Sequence, residues 1–348
     1  MSRRSFYFFV LIALVFFAAY FIFFLKNPRR KEREVIIEVP RGATVTALSD
    51  TLAAHGLLRS RIAFELAARV LGVAKSLRAG RYRIASGLSN SEIARRLTGS
   101  AYALILRATF PEGVTIYRAA SIAHTELGLD SALFLRYALD TSFLHSLGVP
   151  RSAPSAEGYL FPDTYQFLLI ANPKVLIERM VKRWKQIAKD SLFDPLDSTA
   201  GDTLHGAPLS IERMMTLASI VEAEAKLPPE RDTIAGVYLN RLRIGMALDA
   251  DPTVQYGLHL TRPITHRDLQ IPTPYNTYLD RGLPPGPICN PGAASIRAVL
   301  HPARSEYLYF VARRDGSGGH YFSRTLAEQE QMINLAKANS GHEGASNN

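Results

Sequence analysis

Ile211-Glu212-Arg213-Met214-Met215-Thr216-Leu217-Ala218-Ser219-Ile220-Val221-Glu222-Ala223-Glu224-Ala225-Lys226 is the stretch whose reading organises the rest of the chain. At about 100° per residue, Ile211, Met214, Met215, Ala218, Val221 and Ala225 form one apolar stripe, which predicts a helix over 211–226. Glu222 falls inside that stripe, about 40° from Ala218, whereas Glu224 falls outside it. A carboxyl on an apolar face is costly to ionise, so its pKa is expected to rise, as a general acid near neutral pH requires. The same position suits an ion pair with a buried arginine, Arg231 or Arg241, that would only join two helices. The pattern leaves both readings open.

C-terminal to this helix the spacing predicts another at 229–243, and then 247–305 turns rich in Pro, Gly and Asn and poor in periodicity. Such a length of irregular chain suits either an extended substrate groove or a rigid cover over the core. Its Tyr, Asn and Thr residues supply the stacking faces and hydrogen bonds that sugars need. Tyr307 to Arg313 and His320 to Phe322 read as a hairpin around Asp315-Gly316-Ser317-Gly318-Gly319, and Thr325-Leu326-Ala327-Glu328 as a capping box opening a last helix. Residues 339–348 read as a disordered tail.

N-terminal to 211, the stretch 191–209 is loop-like, and helices are predicted at 173–189, 131–140 and 116–126. Trp184 shares a helical face with Leu176, Met180 and Ile187, the position of a core residue. Residues 35–104 form a small βααβ module: a β-branched strand from Val35, helices around Leu48–Leu58 and Ile62–Leu71 divided by His55-Gly56, and a returning strand Gly80–Ile84. A short helix, Ser89 to Leu97, follows it. Pro40-Arg41-Gly42-Ala43-Thr44-Val45 is echoed by Pro111-Glu112-Gly113-Val114-Thr115-Ile116, and both lead into helix. The fold class is therefore α+β, with a catalytic-sized domain over 105–338 whose first part, 105–150, is a connecting subdomain.

Phe6 to Leu25 is 20 residues without a charge, bracketed by Arg3-Arg4 and Lys26. That spans roughly 30 Å of helix, the hydrocarbon thickness of a bilayer. The run exceeds the apolar part of a signal peptide and is followed by basic residues, so a single uncleaved transmembrane helix is expected over 6–25, with a charged linker over 26–34. Five basic residues after the span against two before it would, counted literally, leave the large domain in the cytoplasm.

These charges also explain the net +10, because +6 of it lies within residues 1–33. The remaining 315 residues carry 34 basic and 30 acidic side chains, so no nucleic-acid footprint is expected. The lone cysteine, Cys289, excludes an intrachain disulfide. No Walker loop, GxGxxG, HExxH, paired CxxC or GxSxG occurs, and no His falls at ligand spacing from another His or from the Cys. Neither a cofactor nor a metal is expected. Carboxylates remain.

Several motifs together resemble the endolytic murein transglycosylase (YceG-like) family. They are Leu217 to Glu224, Tyr238-Leu239-Asn240-Arg241-Leu242, Asp251-Pro252-Thr253, Pro274-Tyr275-Asn276-Thr277-Tyr278 and Gly282 to Ile288, together with Glu157 to Tyr165 and Gly319-His320-Tyr321-Phe322. Ala223 departs from the Lys or Arg common there. The resemblance implies an inner-membrane enzyme with a LysM-like module over 35–104 and a periplasmic catalytic domain, which leaves residues 1–5 cytoplasmic against the charge count. It implies cleavage within nascent peptidoglycan strands, with Glu222 as the catalytic residue. The lytic reaction needs one carboxyl, although Glu157, Asp251 and Glu224 are candidates for a second. Asn240, Tyr275, Asn276 and Tyr278 are candidate substrate-positioning groups, and Glu157, Asp251 and Thr277 join them as candidate binding residues. The implied partners are glycan strands and the inner membrane, with peptidoglycan synthases as further candidates. The alternatives are a hydrolytic muramidase with a second carboxylate and a non-catalytic wall-binding scaffold.

Overall fold

The computed structural model describes residues 3–28, 34–40, 42–99, 103–168, 172–192, 203–204 and 207–343. It divides into two compact units, one of residues 1–107 with 166–171, the other of 108–165 with 172–348.

The first unit opens with α1 (Arg3–Phe23), exposed along most of its length and, over Ser5–Phe23, long and apolar enough to cross a membrane. The expected span to Leu25 is shortened because the chain turns after Phe23, with Phe24 and Leu25 both returning to Tyr20 O. Then come β1 (Glu34–Val39), α2 (Val45–Ala54), α3 (Arg61–Val70), α4 (Val73–Ser76), β2 (Gly80–Ala85), α5 (Asn90–Thr98) and β3 (Ala103–Leu104). The sheet order is β1-β2-β3, antiparallel throughout, with Ile37 opposite Tyr82 and Val39 opposite Gly80. Alternation along the strands turns Ile37, Val39, Tyr82 and Ile84 inward against Leu48, Leu52, Phe64, Ile93 and Leu97. The βααβ reading of this module therefore matches its backbone. Side chains of Thr44, Ser60 and Ser89 cap the three main helices, and Ser89 and Glu92 complete a capping box. The linker expected over 26–34 is not free at its start: Asn27 is buried against Leu88 and Asn90. Residues 29–33 lie outside the described set.

The chain leaves this unit within β4 (Leu106–Thr109), which pairs with β5 (Thr164–Phe167). Between them lie α6 (Ile116–Leu127), α7 (Ser131–Ala138) and α8 (Thr141–Ser146), and after them α9 (Pro173–Leu192). The echoed sequences share a geometry: Gly42 and Gly113 have φ of 77° and 74°, and Thr44 and Thr115 each cap the following helix. Trp184 is buried and meets Tyr159 edge to face at 5.0 Å, the core role expected of it.

The stretch 191–209 falls mostly outside the described residues, apart from the pair β6 (Thr203–Leu204) and β7 (Ala207–Pro208). Helix α10 (Ile211–Glu224) is buried from Met215 to Val221 and packs on α11 (Arg231–Arg243), α12 (Asp251–Gly257) and α13 (Ala293–Leu300). The last two correct the expectation of an irregular 247–305. Helices of seven and eight residues are too short to establish a periodicity, and tertiary burial of Val254, Ile296 and Val299 stabilises them instead. The hairpin β8 (Tyr309–Ala312) and β9 (His320–Ser323) precedes α14 (Leu326–Glu343), which continues into the expected tail; residues 344–348 lie outside the described set.

Candidate active site

Glu222 sits in the last turn of α10, its side chain 7% exposed. Its surroundings differ from the apolar face that the helical wheel draws. Oε2 accepts the Gly292 backbone N–H at 3.0 Å and the Ser295 hydroxyl at 2.7 Å, both from the N-terminal end of α13. Oε1 faces Arg231 Nη2 at 3.6 Å, and Arg231 Nε in turn donates to Ser295 Oγ at 3.1 Å. The arginine pair foreseen as the structural alternative exists, through Arg231. Arg241 turns elsewhere, donating to Leu308 O and Leu248 O at 2.6 and 2.7 Å.

A cleft of about 570 Å³ opens beside this group. Gly113 and Ala223 are in its wall, with Tyr117, Tyr256, His259 and Ile288 around it. A Cβ added to Gly113 would lie 3.7 Å from Glu222 Cγ, and Ala223 follows Glu222 in the chain, so two residues of the cleft wall flank this side chain. Tyr117 and Tyr256 both contact the His259 ring, and Tyr256 also lies 5.0 Å from the ring of Tyr275. A wall of exposed and half-buried aromatic faces with hydroxyl edges suits a carbohydrate chain.

Glu157 lies behind this wall, 1% exposed. It accepts from Ile116 N at 3.1 Å, Asn290 Nδ2 at 2.8 Å and Tyr256 OH at 3.2 Å. Burial without a cation pushes its pKa up to about 8, although those donors oppose the rise. It braces the cleft rather than lining it. Gly158 beside it has a φ of 85°, and a Cβ there would lie 2.5 Å from Pro287, so the 282–288 turn packs directly on this backbone.

A second acidic group forms on the other side of Ala223. Glu224 accepts the Tyr238 hydroxyl at 3.0 Å, and burial raises its pKa to about 7, with Asp251 adding to the rise. Asp251 accepts from Tyr278 OH at 2.5 Å. The remaining candidates bind their own backbone. Asn240 Nδ2 donates to Ser305 O and Tyr307 O, and fully buried Asn276 donates to Leu269 O and Ile271 O. Thr277 Oγ1 accepts from Ala250 N and meets Thr253 Oγ1 at 2.9 Å. Asn276 and Thr277 thus hold the loops that carry Asp251, Tyr275 and Tyr278, while Asn240 holds the 305–307 segment.

Sequence reasoning missed Gly292, Ser295, Tyr117, Tyr256 and Asn290. Each reaches the site from a distant segment, and the only local signal was the Asn290-Pro291-Gly292 turn ahead of a short helix. It also missed Glu112, an exposed carboxylate packed against the Cα side of Gly292, where an added Cβ would collide with it. No group of His, Cys, Asp or Glu able to hold a metal occurs among the described residues.

Residues 37–335 match the model of the YceG-like family. The chain is 31% identical over 325 residues to the endolytic murein transglycosylase of Bacillus subtilis (strain 168), covering 88% of this chain and 86% of that protein. It is 28% identical over 311 residues to the endolytic murein transglycosylase of Streptococcus pneumoniae serotype 2 (strain D39), spanning 81% of this chain but 54% of that protein. The fold is similar to the crystal structure of a yceG-like protein from Listeria monocytogenes, with a TM-score of 0.58 and 29% identity over 86% of this chain and 99% of that one.

Proposed function

This chain belongs to the YceG-like family, and from that premise we propose that it is an endolytic murein transglycosylase, a lyase acting on peptidoglycan, with Glu222 as its general acid and base. One observation carries the assignment. Glu222 sits between Gly113 and Ala223 of the aromatic cleft wall, with Oε2 held by the Gly292 N–H and the Ser295 hydroxyl and Arg231 at 3.6 Å from Oε1, which fixes the orientation of this carboxyl.

In the reaction, the protonated Glu222 gives its proton to the glycosidic oxygen of the bond between N-acetylmuramic acid and N-acetylglucosamine. The C1–O bond breaks, and the muramic acid's own 6-hydroxyl closes on C1. The Glu222 carboxylate then takes the 6-hydroxyl proton and is restored. No water enters, and the new end is a 1,6-anhydro sugar. The α1 span makes this a single-pass membrane protein in our reading, with the catalytic unit on the periplasmic side and the 35–104 module as a LysM-like glycan-binding element. Mass spectrometry of glycan digested by the full protein tests the reaction: anhydro ends are expected, and Glu222→Gln abolishes them while leaving the fold intact.

A second reading, hydrolysis with two carboxylates, is favoured by Glu112. That group and Glu222 flank Gly292 from two sides, one at its Cα and one at its N–H. A paired carboxylate could activate water on the opposite face of the sugar. Products heavier by one water, together with their loss in Glu112→Gln, would establish this reading over the lytic one.

A further inference from the structure

The end of α1 is built into the first unit. Asn90 Nδ2 donates to Ile22 O at 2.7 Å, and buried Asn27 donates to Leu88 O and to Asn90 Oδ1 at 2.8 and 3.1 Å. Asn27 Oδ1 accepts the Arg59 backbone N–H at 2.6 Å, and the Arg59 guanidinium reaches Lys26 O at 3.3 Å. Ala19, Ile22, Phe23 and Leu25 are half-buried where α1 packs on α3 and α5, while nearly all of the earlier helix is exposed. The apolar helix therefore runs into the module with no free joint, and α3 lies beside its last turns.

The outer face of α3 is the second observation. Ile62 and Val70 are each 73% exposed and Leu66 43%, one residue per turn along about 12 Å of helix, and Leu71 continues the patch at 48%. The inner face, Ala63, Phe64, Ala67 and Ala68, is already buried in the core of the module. Exposed Arg69 lies on the same helix, exposed Arg59 lies just ahead of it, and exposed Lys26 is joined to Arg59 through its carbonyl. An apolar stripe on a short amphipathic helix, accompanied by basic residues and continuous with a bilayer-length helix, has the chemistry of an anionic membrane interface.

We propose that α3 lies in the bilayer interface beside the span, with Ile62, Leu66 and Val70 at the boundary between headgroups and acyl chains and the cations among lipid phosphates. The module is then docked on the membrane surface rather than tethered above it. This rests on the reading of α1 as a membrane span.

The full protein, reconstituted in vesicles of phosphatidylcholine and phosphatidylglycerol, tests it. Cys289 is buried, so a polarity-sensitive fluorophore can be placed selectively at Leu66→Cys, at Leu14→Cys in α1, or at Glu38→Cys on the outward face of β1. The expected result is blue-shifted emission, quenched by lipid-borne nitroxide, at positions 66 and 14 but not at 38. Adding Ile62→Glu and Val70→Glu should return the label at 66 to water while the label at 14 stays quenched. An unquenched, water-like label at 66 beside a quenched one at 14 overturns the docking and leaves the anchor standing. Water-like labels at both positions overturn the anchor reading and the docking with it. A blue shift at 66 that appears in detergent and grows with protein concentration would show that a second copy covers this face, which also overturns the proposal.

Discussion

Two glutamates meet the same short segment of chain and are treated in opposite ways. Glu222 takes the N–H of Gly292 and the hydroxyl of Ser295, and has Arg231 and the cleft-wall residues Gly113 and Ala223 beside it. Glu157 takes the amide of Asn290, two residues earlier, with a backbone N–H and a tyrosine hydroxyl, but no cation and no opening. Both are well supplied with donors, so hydrogen bonding alone does not tell the two apart. The difference is a neighbouring guanidinium, which Glu222 has and Glu157 lacks. A buried carboxyl without a cation keeps its proton, and Glu157 does so up to about pH 8.

The sharpest test of this contrast is pH. The folded pKa of Glu157 is raised from 4.5 to about 8, so the native state holds a proton that the unfolded state releases. Its contribution is fully present below about pH 4.5 and is lost as pH rises towards 8, in total about 5 kcal/mol by linkage. Urea unfolding across that window should show the decline, and Glu157→Gln should flatten it; an unchanged slope would remove the buried-acid reading. Next in size, Arg231→Leu takes the cation from Glu222 and should cost about 3 kcal/mol of stability, because it leaves a partly buried carboxylate unpaired. The same denaturation measurement checks it, and a loss below about 1 kcal/mol would mean that Glu222, like Glu157, does without its cation. Ser295→Ala removes one of the two donors on Oε2 and should cost about 1 kcal/mol, with turnover reduced roughly tenfold and KM nearly unchanged. The smallest effect is expected for Tyr278→Phe, which frees Asp251 near the exposed end of the second acidic group. Stability should change by under about 1 kcal/mol, while a loss of glycan affinity larger than that of Ser295→Ala would show that substrate runs over this side of Ala223.

What could be read early and what could not divides along the sequence distance of the contacts. The small module was legible because its signals are local: Thr44, Ser60 and Ser89 cap the helices that follow them, and alternation in Glu34–Val39 and Gly80–Ala85 points the right side chains inward. Helix α10 and the position of Glu222 on it were legible for the same reason. Its environment was not, since a helical wheel ranks apolar neighbours on one helix and is blind to Gly292 and Ser295, 70 and 73 residues away. Asn240, Asn276 and Thr277 illustrate the converse. Polar residues in sugar-like motifs looked available for substrate, yet each is engaged with a backbone group that its loop had to satisfy.

The amino-acid sequence by itself determined the strands and helices of the small module, the helix that carries Glu222, the apolar N-terminal helix with its basic flanks, the α+β class and the single carboxyl most worth suspecting. These follow from periodicity, capping and charge, which act over a few residues. Only the tertiary structure decided that Arg231 and not Arg241 accompanies Glu222, that Glu157 braces the cleft from behind, and that Glu112 waits across Gly292. Those outcomes depend on which distant side chains and backbone amides burial brings within about 3 Å of a carboxyl, and that distance is set by packing the whole domain.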